Sequence, residues 1–165
     1  MERLGKRRAF AFTDVFQLPT LRPDGQGLRI RTRRDRPQAT RQSGLYAWYH
    51  PRWGIFYVGI AAANNYTERW NKHIQKLLDQ CRTAKQMRNW AEFSRLWKAA
   101  GMFIDDLADV WLITWPRPHP GTVEFKQDLL DLEARLRHRL NPRANSEYDA
   151  DRPSWTHLPA EPDEP

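Results

Sequence analysis

The sequence predicts an α+β domain preceded by a basic arm. Three observations predict it: two β-prone runs lie close together within residues 44–60, three later segments carry apolar residues at helical spacing, and one short apolar run separates the last two of those segments. The order is therefore β-β-α-α-β-α, and no internal repeat is visible. With 165 residues the chain can bury a proper core, and 40% hydrophobic and 12% aromatic residues mark it as globular rather than disordered.

Residues 9–16 predict a short strand, followed by Pro19, Pro23 and the Asp24-Gly25 turn signal. Gly44 to Tyr49 and Trp53 to Ile60 flank His50-Pro51-Arg52, which reads as a hairpin whose turn carries the proline, where a missing N–H is harmless. After Ala61-Ala62-Ala63-Asn64-Asn65, an asparagine is the candidate N-cap of a helix over 65–79. Its apolar face is Tyr66, Trp70, Ile74 and Leu77, with Arg69 and His73 along one margin.

A second helix is expected near 84–100, from Met87, Trp90, Phe93, Leu96 and Trp97, with Gly101 closing it. Residues 109–115 predict a strand before Pro116 and Pro118. A third helix is expected over 121–140, stopping at Asn141-Pro142. The domain plan is a basic arm (1–43), a domain over 44–146 with a helical insertion at about 80–108, and an acidic, proline-rich tail (147–165).

Charge is concentrated in the arm. Residues 1–43 hold 11 Lys and Arg against four acids, a surplus that equals the net charge of the whole chain, +7. Within Leu28-Arg29-Ile30-Arg31-Thr32-Arg33 the arginines alternate, so a strand would set them on one face, and Arg34 follows. Such a row is either a solvated basic strand or a footprint for a polyanion, since each guanidinium fork can donate two parallel hydrogen bonds to phosphate. Arg29, Arg31, Arg33 and Arg34 are the candidate residues for binding such a polyanion. The insertion's Arg82, Lys85, Arg88, Trp90, Arg95, Trp97 and Lys98 read either as core aromatics with surface charge or as a base-stacking surface.

Cys81 stands alone, which excludes a disulfide framework and a cysteine zinc cluster. No stretch approaches the roughly 18–20 apolar residues that span a bilayer, so no membrane partner is expected. The N-terminal residues lead into no apolar signal core, and the expected location is cytoplasmic.

One helix breaks its own pattern. At 100° per residue, Leu136 and Leu140 each fall within about 20° of Leu129 with Leu132 on the flank, and Glu133 lies at about 40°, beside that stripe. A carboxylate there is costly to bury unless something neutralises it. Either Glu133 pairs with a neighbour such as Arg137 at i+4, or it holds a hard divalent cation with water and substrate phosphate filling the other positions.

Gly44-Leu45-Tyr46, ten intervening residues and Tyr57-Val58-Gly59 resemble the signature of the GIY-YIG endonuclease family. Arg69 and His73 in the following helix, Glu133 in the last core helix and Asn145 in Pro142-Arg143-Ala144-Asn145 extend the resemblance over residues 43–146. Ile60 stands where the family often carries lysine, and the segment before Asp109 is longer than in minimal members. The resemblance implies a small three-stranded antiparallel sheet flanked by helices and a metal-dependent DNA endonuclease acting on duplex or single-stranded DNA, restriction-type or structure-directed.

It also implies Mg²⁺, replaceable by Mn²⁺, held by Glu133, and catalytic roles for Tyr46, Tyr57, Arg69, His73, Glu133 and Asn145. Arg69 would brace the phosphate oxygens. Tyr46, Tyr57 or His73 would take the proton of the attacking water, with Tyr46 slightly favoured, and Asn145 would brace the helix end or bond within the site. The alternative is a non-catalytic nucleic-acid-binding module that keeps the fold, although a carboxylate beside phosphate serves a pure binder poorly. An enzyme acting on a small anionic substrate leaves the long basic arm unexplained.

Overall fold

The computed structural model describes residues 6–21, 23, 28–78, 104–117, 123–142, 145 and 149–152. In chain order the elements are β1 (Arg8–Ala11), the one-turn helix α1 (Phe12–Val15), β2 (Thr20–Leu21), β3 (Leu28–Arg29), a 3-10 turn (Gln38–Arg41), β4 (Gly44–His50), β5 (Gly54–Ala61), α2 (Tyr66–Leu78), a second 3-10 turn (Ile104–Asp109), β6 (Trp111–Pro116) and α3 (Val123–Leu140). The fold is α+β, built on a four-stranded antiparallel sheet in the order β1-β6-β4-β5, with β2 and β3 as a separate pair. The expected second helix, Gly101 and residues 153–165 of the tail lie outside the described residues.

The sheet has four strands where three were expected, because the arm supplies β1, which pairs with β6 from Arg8↔Thr114 to Ala11↔Trp111. The expected strand over 9–16 ends at Ala11. Phe12, Val15 and Phe16 stand at helical spacing, and a single helical turn buries all three completely. The arm then doubles back. Gln17 N–H donates to Arg31 O at 2.8 Å and Arg33 N–H to Val15 O at 2.8 Å, so residues 28–33 run beside 15–21 with Ile30 turned inward.

Strands β4 and β5 form the expected hairpin, turning through Pro51–Trp53 into Gly54 at φ 72°. Helix α2 begins where its cap was read: Asn65 Oδ1 accepts from Glu68 N–H at 2.9 Å. Helix α3 ends where its stop was read, with Asn141 in the left-handed region at φ 48° ahead of Pro142.

The sheet is covered on both faces. On one lie Tyr46, Trp48 and Phe56 with Tyr66, Trp70 and Ile74 of α2 and Phe12, Val15 and Phe16 of the arm. On the other lie Leu45, Ala47, Ile55, Val58, Ile113 and Trp115, closed by Leu136 and Leu140 of α3. Each Val, Leu, Ile or Phe among them contributes about 1.5–3 kcal/mol on burial. No described helix is long and apolar enough to cross a membrane.

Because the arm is core, Phe16→Ala is expected to cost about 3–5 kcal/mol, as other buried Phe→Ala changes do. The check is the shift of the urea midpoint; an unshifted midpoint would mean that the arm is dispensable to the fold.

Candidate active site

Register decides which tyrosines meet. Cross-strand partners run Tyr46↔Gly59, Ala47↔Val58 and Trp48↔Tyr57, but the next pair is Tyr49↔Ile55, so Phe56 is an extra residue in β5. This bulge puts Phe56 and Tyr57 on the same face in succession and sets Tyr57 on the face that carries Tyr46. Their rings lie 6.2 Å apart.

Gly59 makes the next step possible. A Cβ there would stand 2.5 Å from the Tyr46 hydroxyl and 2.7 Å from its ring carbon, so the Tyr46 side chain crosses β5 over the space that a side chain would fill. Beyond it stands α2. The Tyr46 hydroxyl and His73 Nε2 share a hydrogen bond of 2.6 Å in buried surroundings, with the phenol donating when the ring proton is on Nδ1. The Tyr57 ring lies 4.9 Å from the His73 ring, and Trp70 and Tyr66 meet Tyr46 edge-on at 6.1 and 6.4 Å.

The carboxylate comes from the other side of the sheet. Helix α3 packs on β5, and Glu133 is 8% exposed beside the leucine stripe. Its Oε1 accepts from Arg137 Nη2 at 2.7 Å, so the i+4 pairing is present. Arg137 also donates through Nε and Nη2 to Val58 O, at 3.3 Å each. Asn145 takes both backbone groups of the same residue: Val58 N–H donates to its Oδ1 and its Nδ2 donates to Val58 O, each at 2.9 Å.

The electrostatics follow from burial. Burial pushes the Tyr46 phenol well above the usual tyrosine value, the nearby Tyr57 and Glu133 charges add to this, and the Arg69 charge and hydrogen bond oppose it. Tyr57 is also raised by burial, opposed by the Arg137 and Arg69 charges and by a hydrogen bond with Tyr46. Tyr66 is raised by burial alone, and its hydroxyl is buried without a partner among the described residues.

Tyr46, Tyr57, Arg69 and His73 thus come together, Glu133 lies near enough for its charge to act on both phenols, and Asn145 acts on the β5 backbone beside them. Tyr46 is sealed from solvent and Tyr57 is only half-buried. The arm arginines sit elsewhere. Thr32 and Arg36 bond Asn71 and Thr67, each at 3.2 Å, on the side of α2 opposite Arg69 and His73. Arg31 and Arg34 are exposed, Arg29 is half-buried, and Arg33 is held by both Asp35 oxygens at 3.0 Å. Sequence reasoning missed the bulge at Phe56 and the reach of Arg137 to Val58.

Among the described residues no three His, Cys, Asp or Glu side chains converge. Mg²⁺ needs only one or two carboxylates when waters and phosphate complete its shell, so Glu133, offering about four acceptor positions, suits that role. Comparison with protein-family models, with curated proteins and with solved structures gives no match for this chain.

The buried Tyr66 hydroxyl makes a pH prediction. The folded state keeps its proton well above pH 10, whereas the unfolded chain releases it near 10, so stability falls as pH rises past that point. Tyr66→Phe should leave stability at pH 7 unchanged or higher and make that fall shallower, by up to about 1.4 kcal/mol per pH unit. Urea titrations at pH 7, 10 and 11 read both effects; parallel curves for the two proteins would contradict it.

Proposed function

We propose that this chain is a metal-dependent DNA endonuclease of the GIY-YIG kind. The observation that carries the reading is the hydrogen bond of 2.6 Å between Tyr46 and His73, with Tyr57, Arg69 and Glu133 gathered around it from separate elements. A core needs none of these groups together, and their burial is costly. The motifs Gly44-Leu45-Tyr46 and Tyr57-Val58-Gly59 support the same reading.

In this reading Arg69 receives the scissile phosphate. It is half-buried, and its Nε–H is buried without a partner among the described residues, a donor left for a non-bridging oxygen. The phenols and the imidazole form a proton path. As the water oxygen bonds to phosphorus, its proton passes to the Tyr57 oxygen, Tyr57 yields its own to the Tyr46 oxygen, and Tyr46 yields its own to His73 Nε2, which ends as the imidazolium. The bond from phosphorus to the leaving 3′ oxygen then breaks, and that oxygen takes a proton from solvent. Glu133 would hold the divalent ion, which supplies Lewis-acid stabilisation of the phosphate and the leaving oxygen when bound. The exposed Arg31 and Arg34 grip the DNA backbone away from the cut.

Purified protein should nick or cut DNA among plasmid, duplex and single-stranded substrates with Mg²⁺ or Mn²⁺, and be silent in chelator. Glu133→Ala should lower the rate roughly 10²–10³-fold, the cost of losing one preorganised electrostatic contributor. Equal cleavage by the variant would reject Glu133 as the cation-holding group, and intact binding with no cleavage on any substrate would favour the non-catalytic module. For the grip, Arg31→Gln with Arg34→Gln should reduce the salt slope of duplex binding by about 0.9 per lost phosphate contact. An unchanged slope would remove these arginines from the interface.

A further inference from the structure

Arg137 lies outside the motif residues, yet it touches two parts of the site. One Nη2 donates to Glu133 Oε1 at 2.7 Å and, with Nε, to the Val58 carbonyl at 3.3 Å. Val58 is next in sequence to Tyr57, and Asn145 pins its N–H and carbonyl at 2.9 Å each. A helix and a strand far apart in the sequence are therefore joined by one planar guanidinium, whose Nη2 serves both the carboxylate and the strand while Nε serves the strand alone. A buried carboxylate can swing among rotamers unless a fixed donor holds it, and the planar guanidinium is pre-organised for that task where an ammonium is not.

We propose that Arg137 is a positioning residue that ties the Glu133 carboxylate to the Val58 carbonyl and so fixes the cation-holding group against the strand bearing Tyr57. This rests on the nuclease reading. Arg137 itself neither holds the cation nor meets substrate. Its guanidinium charge opposes the cation, so the benefit lies in geometry and not in attraction. Loss of Arg137 should therefore lower the rate of cutting and spare the binding of metal, a split that a general loss of folding does not produce.

The experiment compares the full chain with Arg137→Gln, Arg137→Lys and Glu133→Ala, using Arg135→Gln, an exposed position on the same helix, as the charge control. Mn²⁺ binding is measured by electron paramagnetic resonance of the free ion, cleavage at saturating Mn²⁺, and folding by thermal melting. Arg137→Gln is expected to cut roughly 10–100-fold more slowly, the usual cost of removing a group that orients a metal ligand, with Mn²⁺ affinity retained or tightened. Arg137→Lys should recover only part of the rate, and Arg135→Gln should match the parent. Wild-type cutting by Arg137→Gln beside an inactive Glu133→Ala overturns the proposal and leaves the nuclease reading standing. Cutting, Mn²⁺ affinity and melting temperature falling together would overturn it too, making Arg137 a brace of the fold alone. A parent chain that neither binds Mn²⁺ nor cuts DNA rejects the nuclease reading, and this proposal with it.

Discussion

The hydrogen bond between the Tyr46 hydroxyl and His73 sets the terms on which the rest of the molecule is built. A phenol sealed from water gains by finding a partner, because an unmet buried hydroxyl costs roughly 1–3 kcal/mol. Meeting that need at 2.6 Å demands a strand neighbour with no side chain, a bulge that turns Tyr57 onto the same face and a helix that brings His73 across the sheet. Helix α2 can deliver the imidazole only because Tyr66, Trp70 and Ile74 fix it against that face. The arm completes the cover with Phe12, Val15 and Phe16.

Local chemistry was legible in the sequence and long-range pairing was not. The hairpin, the Asn65 cap and the Asn141-Pro142 stop depend on residues a few positions apart, and the structure has them where spacing and cap chemistry indicated. Glu133 was legible as a carboxylate beside a leucine stripe, and it is buried there. The addition of β1 to the sheet was hidden, because Arg8 pairs with Thr114 and nothing in residues 8–11 names so distant a partner. The switch from strand to helical turn at Phe12 was masked by β-prone residues whose deeper pattern is Phe12, Val15, Phe16. A bulge has no residue signature of its own, so the turn of Tyr57 onto its face was invisible too. Asn145 was legible as a candidate, but its grip on Val58, 87 residues away, required the fold.

Charge and burial pull against each other around the phenols. Desolvation holds both in the protonated state, and the Glu133 charge acts in the same direction. Arg69 from α2 and Arg137 from α3 supply the opposing fields from two sides of the strand. The balance places one carboxylate and two guanidinium groups in a small volume, where each offsets part of the desolvation cost of the others. The sheet separates the elements that carry these groups, so no single helix could present the set.

The pair of hydrogen bonds between Asn145 and Val58 reaches beyond orientation. A carboxamide that accepts from one backbone N–H and donates to the same residue's carbonyl imitates a neighbouring strand, in a place where, among the described residues, β5 has no strand beside it. Exposed strand margins are templates for unwanted association between chains, and proteins blunt them. Here the blunting device is a side chain from beyond α3. The margin nearest the tyrosines is thus closed at Val58 to recruitment by another polypeptide, and a macromolecule approaching there meets side chains instead of a free ladder of peptide groups.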